Sequence, residues 1–312
     1  MAAPTEYRST DGSAPVLTGE VGKLIALLKA VLVDGYGAKS AAGWTRPYSS
    51  GADYAAFQMG SASGSDALLW VNDTNAQMTR IVGYSTMSAI LVGTNPFPTE
   101  TQFPSGLYCR KSVTASATAR PWIMWATDKC FYLVINGNQT VIGNQDGGDS
   151  HLGFGELTSA LSGDAYHAFI MAGTDTSTSS TTAATTRQIF TALGTTPAGH
   201  YMAANYTQTG GSVTLTAKRS SGLLQQATSG GSGAPYPDSC SGGLHVAPIG
   251  VLESNSATRG YFPGLWTLGH LATSFTHLDT FSGNATLSGR NFTIVRTGAT
   301  SYGFAIETNG GW

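Results

Sequence analysis

The 312-residue chain carries a formal charge of −2, only 11% charged residues and 40 glycines. Ordinary globular chains have roughly 25% charged residues and about 7% glycine, so this surface must be made largely of Thr, Ser, Asn, Gln and Gly. A balance of 16 basic against 18 acidic residues gives no electrostatic footprint for nucleic acid or an anionic membrane, and 41% apolar content at so little net charge excludes intrinsic disorder.

Residues 1–17 read as an extended arm containing Pro4 and Pro15. They lack an apolar stretch after a basic start, so no signal peptide is expected. Residues 18–37 read as the N-terminal helix and its stop, with the helix itself over 18–34. Thr18 is the expected N-cap, Glu20 stands in the first turn, and Gly35 is the expected left-handed C′ residue. Val21, Leu24, Ile25, Leu28, Val31 and Leu32 fall on one apolar face at helical spacing. That face is wide enough to be covered on most sides, as a plug of the β domain or of a subunit interface. The run Leu24–Val33 is too short to span a bilayer.

After Trp44 the period changes to two. Strands are expected over 53–59, 66–73, 79–86, 106–113, 121–128, 130–137 and 167–173, separated by Gly, Ser, Asn, Asp and Pro. Thr127–Lys129 reads as one hairpin turn and Asn136-Gly137 as another. Alternation puts Trp122, Met124 and Ala126 on one face of their strand and Ile123 and Trp125 on the other, both apolar, so both should be covered. The region 38–173 is thus a first β region. Residues 174–186, "TDTSTSSTTAATT", read as a low-complexity linker or loop. A second β region, 187–312, continues with strands over 200–207, 212–219, 244–254, 284–298 and 301–308, in one domain with the first or in its own. The expected fold is mainly β, a sandwich or barrel-like pair of sheets with one N-terminal apolar helix.

Motifs for chemistry are sparse. "GSASG" at 60–64 places Ala62 where a nucleophilic serine would stand, and no phosphate-binding P-loop occurs. His270, His277 and Asp279, and separately Asp146, Asp149 and His151, are the nearest approaches to metal sets. Neither has the partners that zinc or calcium requires, and ordinary polar turns are preferred. No catalytic residue, cofactor or metal is expected. Asp66, Asp73, Asp128, Glu156 and Glu253 lie near aromatics, and none is distinguished. Cys109, Cys130 and Cys240 form no CxxC pair; reduced thiols are preferred, with a Cys109–Cys130 bridge left open. Trp122, Trp125, Phe131 and Tyr132 straddle one hairpin. "RGYFPGLW", with Tyr261, Phe262 and Trp266, reads as a structured loop, a lid or an inter-subunit plug. Exposed aromatics would suit a sugar; a sheet core uses them too, and core is preferred. Leu24, Leu28, Leu32, Trp44, Tyr261, Phe262 and Trp266 are the interface candidates.

Taken together, "PVLTGEVGKLIALLKAVLVDGYGAKSAAGWT", "GLYCRKS", "ARPWIMWATDKCFYLVI", "FGEL", "RGYFPGLW" and the ending "AIETNGGW" resemble a group of tailed-bacteriophage virion structural proteins, over most of the chain and most weakly at 174–240. With the low-charge composition, which suits a component made in the host cytoplasm, the expected role is structural, in the neck, tail or baseplate of the virion, as a symmetric oligomer with copies of itself and other virion proteins as partners. A receptor- or host-surface-glycan-binding tip using exposed aromatics such as Trp266 is the alternative. The resemblance itself implies a virion or tail-associated protein without its place in the particle. It brings no catalytic residues, and the arm 1–17 would reach a neighbouring subunit.

Overall fold

The computed structural model describes residues 3–60, 64–143, 148–159, 161–174, 190, 198–204, 213–219, 235–253, 257–296, 303–310 and 312. In chain order the elements are β1 (Thr5–Arg8), α1 (Lys23–Lys29), β2 (Thr45–Ser50), β3 (Tyr54–Gln58), β4 (Leu68–Asn72), β5 (Met78–Ala89), β6 (Val92–Phe97), β7 (Leu107–Arg110), β8 (Trp122–Ala126), β9 (Cys130–Ile135), β10 (Ser150–Glu156), β11 (Thr158–Ser159), β12 (Ala168–Gly173), β13 (Ala198–Met202), β14 (Val213–Arg219), β15 (Val246–Glu253), β16 (Ala257–Leu268), β17 (Thr280–Ser282), β18 (Asn291–Arg296) and β19 (Gly303–Glu307).

These strands form two antiparallel sheets. In the first, β2, β3, β4 and β5 pair in succession, and β5 pairs β7 along its first half and β6 along its second. Tyr108 of β7 meets Gly173 of β12, from which the sheet continues through β10, β9 and β8 to β1. β13 pairs the other edge of β12 and passes to β14. The second sheet runs β14, β15, β16, β19, β18, β17, with β11 beside β16. Most of the expected linker, 175–186, lies outside the described residues. No described helix is long and apolar enough to cross a membrane.

The first sheet curls around α1. Leu24, Ile25, Leu27 and Leu28, with Val31 and Leu32 beyond them, share one core with alternate residues of β3, β4, β7, β8, β9, β10 and β12. On β8, Trp122, Met124 and Ala126 face that core, whereas Ile123 and Trp125 face a second core between the two sheets. The wall β8–β9–β10–β12 is therefore buried on both sides, which explains why β8, β9 and β12 are almost continuously apolar. A third cluster, with Trp266, Phe275, Phe292 and Ala305, covers the far face of the second sheet.

Several expectations are corrected. The helix has seven residues, not seventeen, and continues as a π-helical turn over Ala30–Asp34. Its apolar face is buried as expected at Leu24, Ile25, Leu28, Val31 and Leu32, but it is not covered on most sides: Ala26 is exposed, and Val21, expected on that face, precedes the helix at 50% exposure. Residues 18–22 stay out of the helix because tertiary partners hold their backbone. Gly19 N–H donates to Ser116 O, the Glu20 carbonyl accepts Lys111 Nζ at 2.6 Å, and Gly22, left-handed at φ 77°, donates to Asp73 O. Thr18 turns its hydroxyl to Glu20 instead of capping. The cap comes from far along the chain: Asp73 Oδ2 accepts the N–H groups of Leu24 and Ile25 at 2.8 and 3.3 Å. At the other end, Ala42 and Trp44 N–H groups cover the carbonyls of Val31 and Leu32.

The N-terminal segment is bound into its own chain rather than held out toward a neighbour. β1 pairs with β8, Tyr7 is fully buried, and its hydroxyl donates to Ser40 O. Trp122 Nε1 donates to Pro15 O and Trp125 Nε1 to Glu6 Oε2, so both indoles are satisfied by the segment itself.

Of the two expected hairpins, Thr127–Lys129 is a tight turn, closed by Thr127 N–H on Cys130 O. Asn136-Gly137 instead opens a long connection to β10, because Asn136 is buried and its amide donates to Asp149 Oδ2. "RGYFPGLW" is not a loop: it lies in β16, which pairs both β15 and β19. Its glycines make this workable, Gly260 at φ 148° and Gly264 at φ 62°, beside register shifts against β15. Cys109 and Cys130 are both free thiols buried in different cores, and Cys240 is exposed.

Leu28→Ala should destabilise the chain by about 2–5 kcal/mol through lost transfer free energy plus a cavity, read from chemical denaturation. Deleting residues 1–14 should lower the melting temperature sharply, since it strips β1 from β8 and uncovers Trp122 and Trp125. An unchanged melting curve would mean that β1 is not part of the folded sheet.

Candidate functional site

Six of the seven interface candidates lie inside the chain's own cores. Leu24, Leu28 and Leu32 are fully buried, and Trp44, Phe262 and Trp266 are 3%, 2% and 7% exposed. Trp44 donates Nε1 to Thr127 O at 2.7 Å and sets its ring edge-on to Phe131. Trp266 donates to Glu307 Oε2 under the guanidinium of Arg290. Only Tyr261, at 45%, offers its ring to solvent.

The histidines named at the sequence level hold backbone. His270 Nε2 accepts His245 N–H at 2.8 Å, and His277 Nδ1 accepts Arg296 N–H at 3.2 Å. Burial, reinforced by Arg296, pushes His277 down to about 4, so it is neutral at ordinary pH. Asp146 lies outside the described residues; Asp149 and His151 are buried. Among the described residues, no three His, Cys, Asp or Glu side chains are grouped as a metal site.

A cleft of about 390 Å³ opens where the two sheets meet, lined by Asp128, Lys129, Cys130, Glu156, Leu157, Thr158, His167, Pro263 and Trp312. The β8–β9 turn supplies one rim, the end of β10 the floor, and β16 with the C-terminal tryptophan the opposite rim. Trp312 fits because Gly264 has no side chain; a Cβ there would meet the indole at 2.1 Å.

Glu156 and His167 form the polar heart of this cleft, with His167 Nε2 at 3.3 Å from Glu156 Oε2. Glu156 Oε1 accepts both the N–H and the hydroxyl of Ser65 at 2.8 Å. His167 Nδ1 is bonded to the Asp164 carbonyl. Burial raises the Glu156 carboxyl, but hydrogen bonds from His167 and Ser65 and the imidazolium charge outweigh it, so its pKa lies below the usual value. Burial likewise lowers His167, and its bonds and charge contacts to Glu156 and Asp164 outweigh that, so its pKa is raised. Asp164 in turn receives the fully buried Arg259 through Nε and Nη2 at 3.2 and 2.6 Å, and Arg259 Nη1 reaches Glu253 at 2.7 Å. This network ties β16 of the second sheet to the loop before β12 of the first.

Glu156 and Glu253 were visible in the sequence as undistinguished acids; their partners His167, Ser65 and Arg259 were not singled out. No local motif marks them, because 91 residues separate Ser65 from Glu156 and 95 separate Asp164 from Arg259. The order of the hydrogen bonds is informative. The serine hydroxyl donates to the acid, not to the imidazole, so this is not the serine–imidazole–acid order of a hydrolase triad, and both imidazole nitrogens are already engaged.

The pair should make stability depend on pH from both sides. His167, raised in the folded state, stabilises fully below its unfolded value near 6.5 and stops doing so as pH rises through its folded pKa. Glu156, lowered in the folded state, stabilises above its unfolded value near 4.5 and stops as pH falls through its folded pKa. His167→Gln should therefore lose most stability between those two values, and less above pH 8. A stability difference that is flat with pH would show that the pair carries no charge. No protein-family model matches this chain, and a comparison with curated proteins finds no match.

Proposed function

We propose that this chain is a non-enzymatic structural component of a tailed-phage virion, in the neck, tail or baseplate, and that it assembles as a symmetric oligomer. The observation that carries the reading is where the chain puts its few charges. Asp73, Arg110, Lys111, Arg120, Asp149, Glu156, Asp164, Glu253, Arg259 and Glu307 are buried, which leaves the surface poorer in charge than the composition alone implies. Such a surface is cheap to desolvate against another subunit and poorly suited to a free, concentrated monomer.

The β5–β6 hairpin supports the same reading. From Thr86 to Pro96 none of its residues is buried, and its tip exposes Leu91 at 72% and Val92 at 56%. An apolar tip on an arm that touches little of its own chain suits a contact with a neighbour. The resemblance over "KLIALLKAVLVDGYG" and the later landmarks supplies the particle. The hydrogen-bond order in the cleft favours a non-enzymatic role.

A glycan-binding role is the second reading, and the observation favouring it has moved. Trp266 is buried, whereas the outer face of β3–β4–β5 offers the half-buried rings of Tyr54 and Tyr84, with Trp70 buried between them under Arg80 at 5.4 Å. Aromatic faces rimmed by polar groups suit sugar rings. A glycan array with the wild type and Arg80→Ala separates this reading from the first.

Sedimentation of the purified chain tests the assembly claim. A defined oligomer is expected, and the double substitution Leu91→Asp, Val92→Asp should convert it to monomer with the melting temperature within a few degrees of wild type. A wild-type chain that stays monomeric at high concentration, and is missing from separated tails by mass spectrometry, would remove the proposal.

A further inference from the structure

Among the described residues, two carboxylate–cation pairs have both side chains at zero exposure, Arg259–Asp164 and Lys111–Asp73. They differ in chemistry. A guanidinium keeps its proton and its lone pairs are delocalised, whereas a buried lysine converts readily to the free amine, a nucleophile. Lys111 Nζ lies 2.5 Å from Asp73 Oδ1, one bond from the carboxyl carbon. The surroundings are arranged for the next step. Leu24 and Ile25 N–H groups both point at the other oxygen, Oδ2, at 2.8 and 3.3 Å. The Thr79 hydroxyl lies 2.5 Å from Oδ1, and the Glu20 carbonyl fixes the lysine tip at 2.6 Å.

We propose that Lys111 and Asp73 condense into an intramolecular isopeptide bond, joining the end of β7 to the turn after β4. Within the pair, a proton passes from the ammonium to the carboxylate, leaving an amine and a carboxylic acid. The amine lone pair attacks Cγ, and the C=O π pair moves onto Oδ2, where the Leu24 and Ile25 N–H groups stabilise the developing oxyanion. The nitrogen then releases a proton to the Oδ1 hydroxyl, with Thr79 in place to relay it. The Cγ–Oδ1 bond breaks, water leaves and the carbonyl re-forms on Oδ2. The products are one secondary amide and one water, and no oxidant, metal or cofactor is required.

Burial supplies the drive. It raises the Asp73 carboxyl and lowers the Lys111 ammonium, each against the opposing attraction of the other, so the neutral pair that reacts is favoured over what water would allow. Condensation also removes two charges from a dry core and keeps the acceptor oxygen on the helix cap. Arg110 and Lys111 are adjacent basic residues at the end of β7, and the structure buries both.

Mass spectrometry of the wild-type chain decides the matter. Under denaturing conditions its mass should fall one water below that of Lys111→Arg, after the residue difference is allowed for. Trypsin does not cut at an acylated lysine or before Pro47 and Pro121, so the digest should contain peptide 40–80 joined to peptide 111–129. Free 40–80 together with free 112–129, or a water loss that maps to any other residue, would overturn the proposal. If the arginine variant fails to fold, the wild-type peptide map still gives the answer.

Discussion

The carboxylate of Asp73 is the point from which the N-terminal half of the chain is organised. One of its oxygens takes the first N–H groups of the buried helix; the other takes Thr79 and Lys111. A helix enclosed by a curled sheet has no water to satisfy its first turn, and an unmet buried donor costs about 1–3 kcal/mol. Local capping is foreclosed, since Gly22 has no side chain. A carboxylate brought in from the β4–β5 turn solves this problem and creates another, because a buried charge needs a partner. Lys111 answers that need from the end of β7. Helix, turn and strand are therefore mutually required, and removing one leaves the others with unmet charge or unmet hydrogen bonds.

The wall β8–β9–β10–β12 depends on that enclosure. Its inner face packs on the capped helix and its outer face on the second sheet. A sheet covered on both sides has little room for polar residues, and β8, β9, β10 and β12 have every residue buried. Polar chemistry moves to where the wall ends. There Glu156, His167, Asp164, Arg259 and Glu253 link the two sheets around the cleft. Among the described residues ten charged side chains are buried, and several of them serve as internal fastenings.

The sequence by itself determined the class and the cores. Alternation of Trp122, Ile123, Met124, Trp125 and Ala126 was enough to show a strand buried on both faces, and the spacing of Leu24, Ile25, Leu28 and Leu32 was enough to show a helix with one buried side. Both patterns are local, and hydrophobic burial enforces them wherever the strand or helix is placed. Only the tertiary structure decided where the helix begins, because Asp73, Ser116 and Lys111 compete for the backbone of residues 19–25 from outside any sequence window. It alone decided that "RGYFPGLW" is a central strand, since two positive-φ glycines that resemble loop punctuation instead permit bulges between β15 and β19. It alone assembled the polar network at the cleft, in which Ser65 reaches Glu156 across 91 residues and Arg259 reaches Asp164 across 95. Apolar periodicity is a property of neighbours in the chain; pairing of buried charges is a property of neighbours in space, and only the fold specifies those.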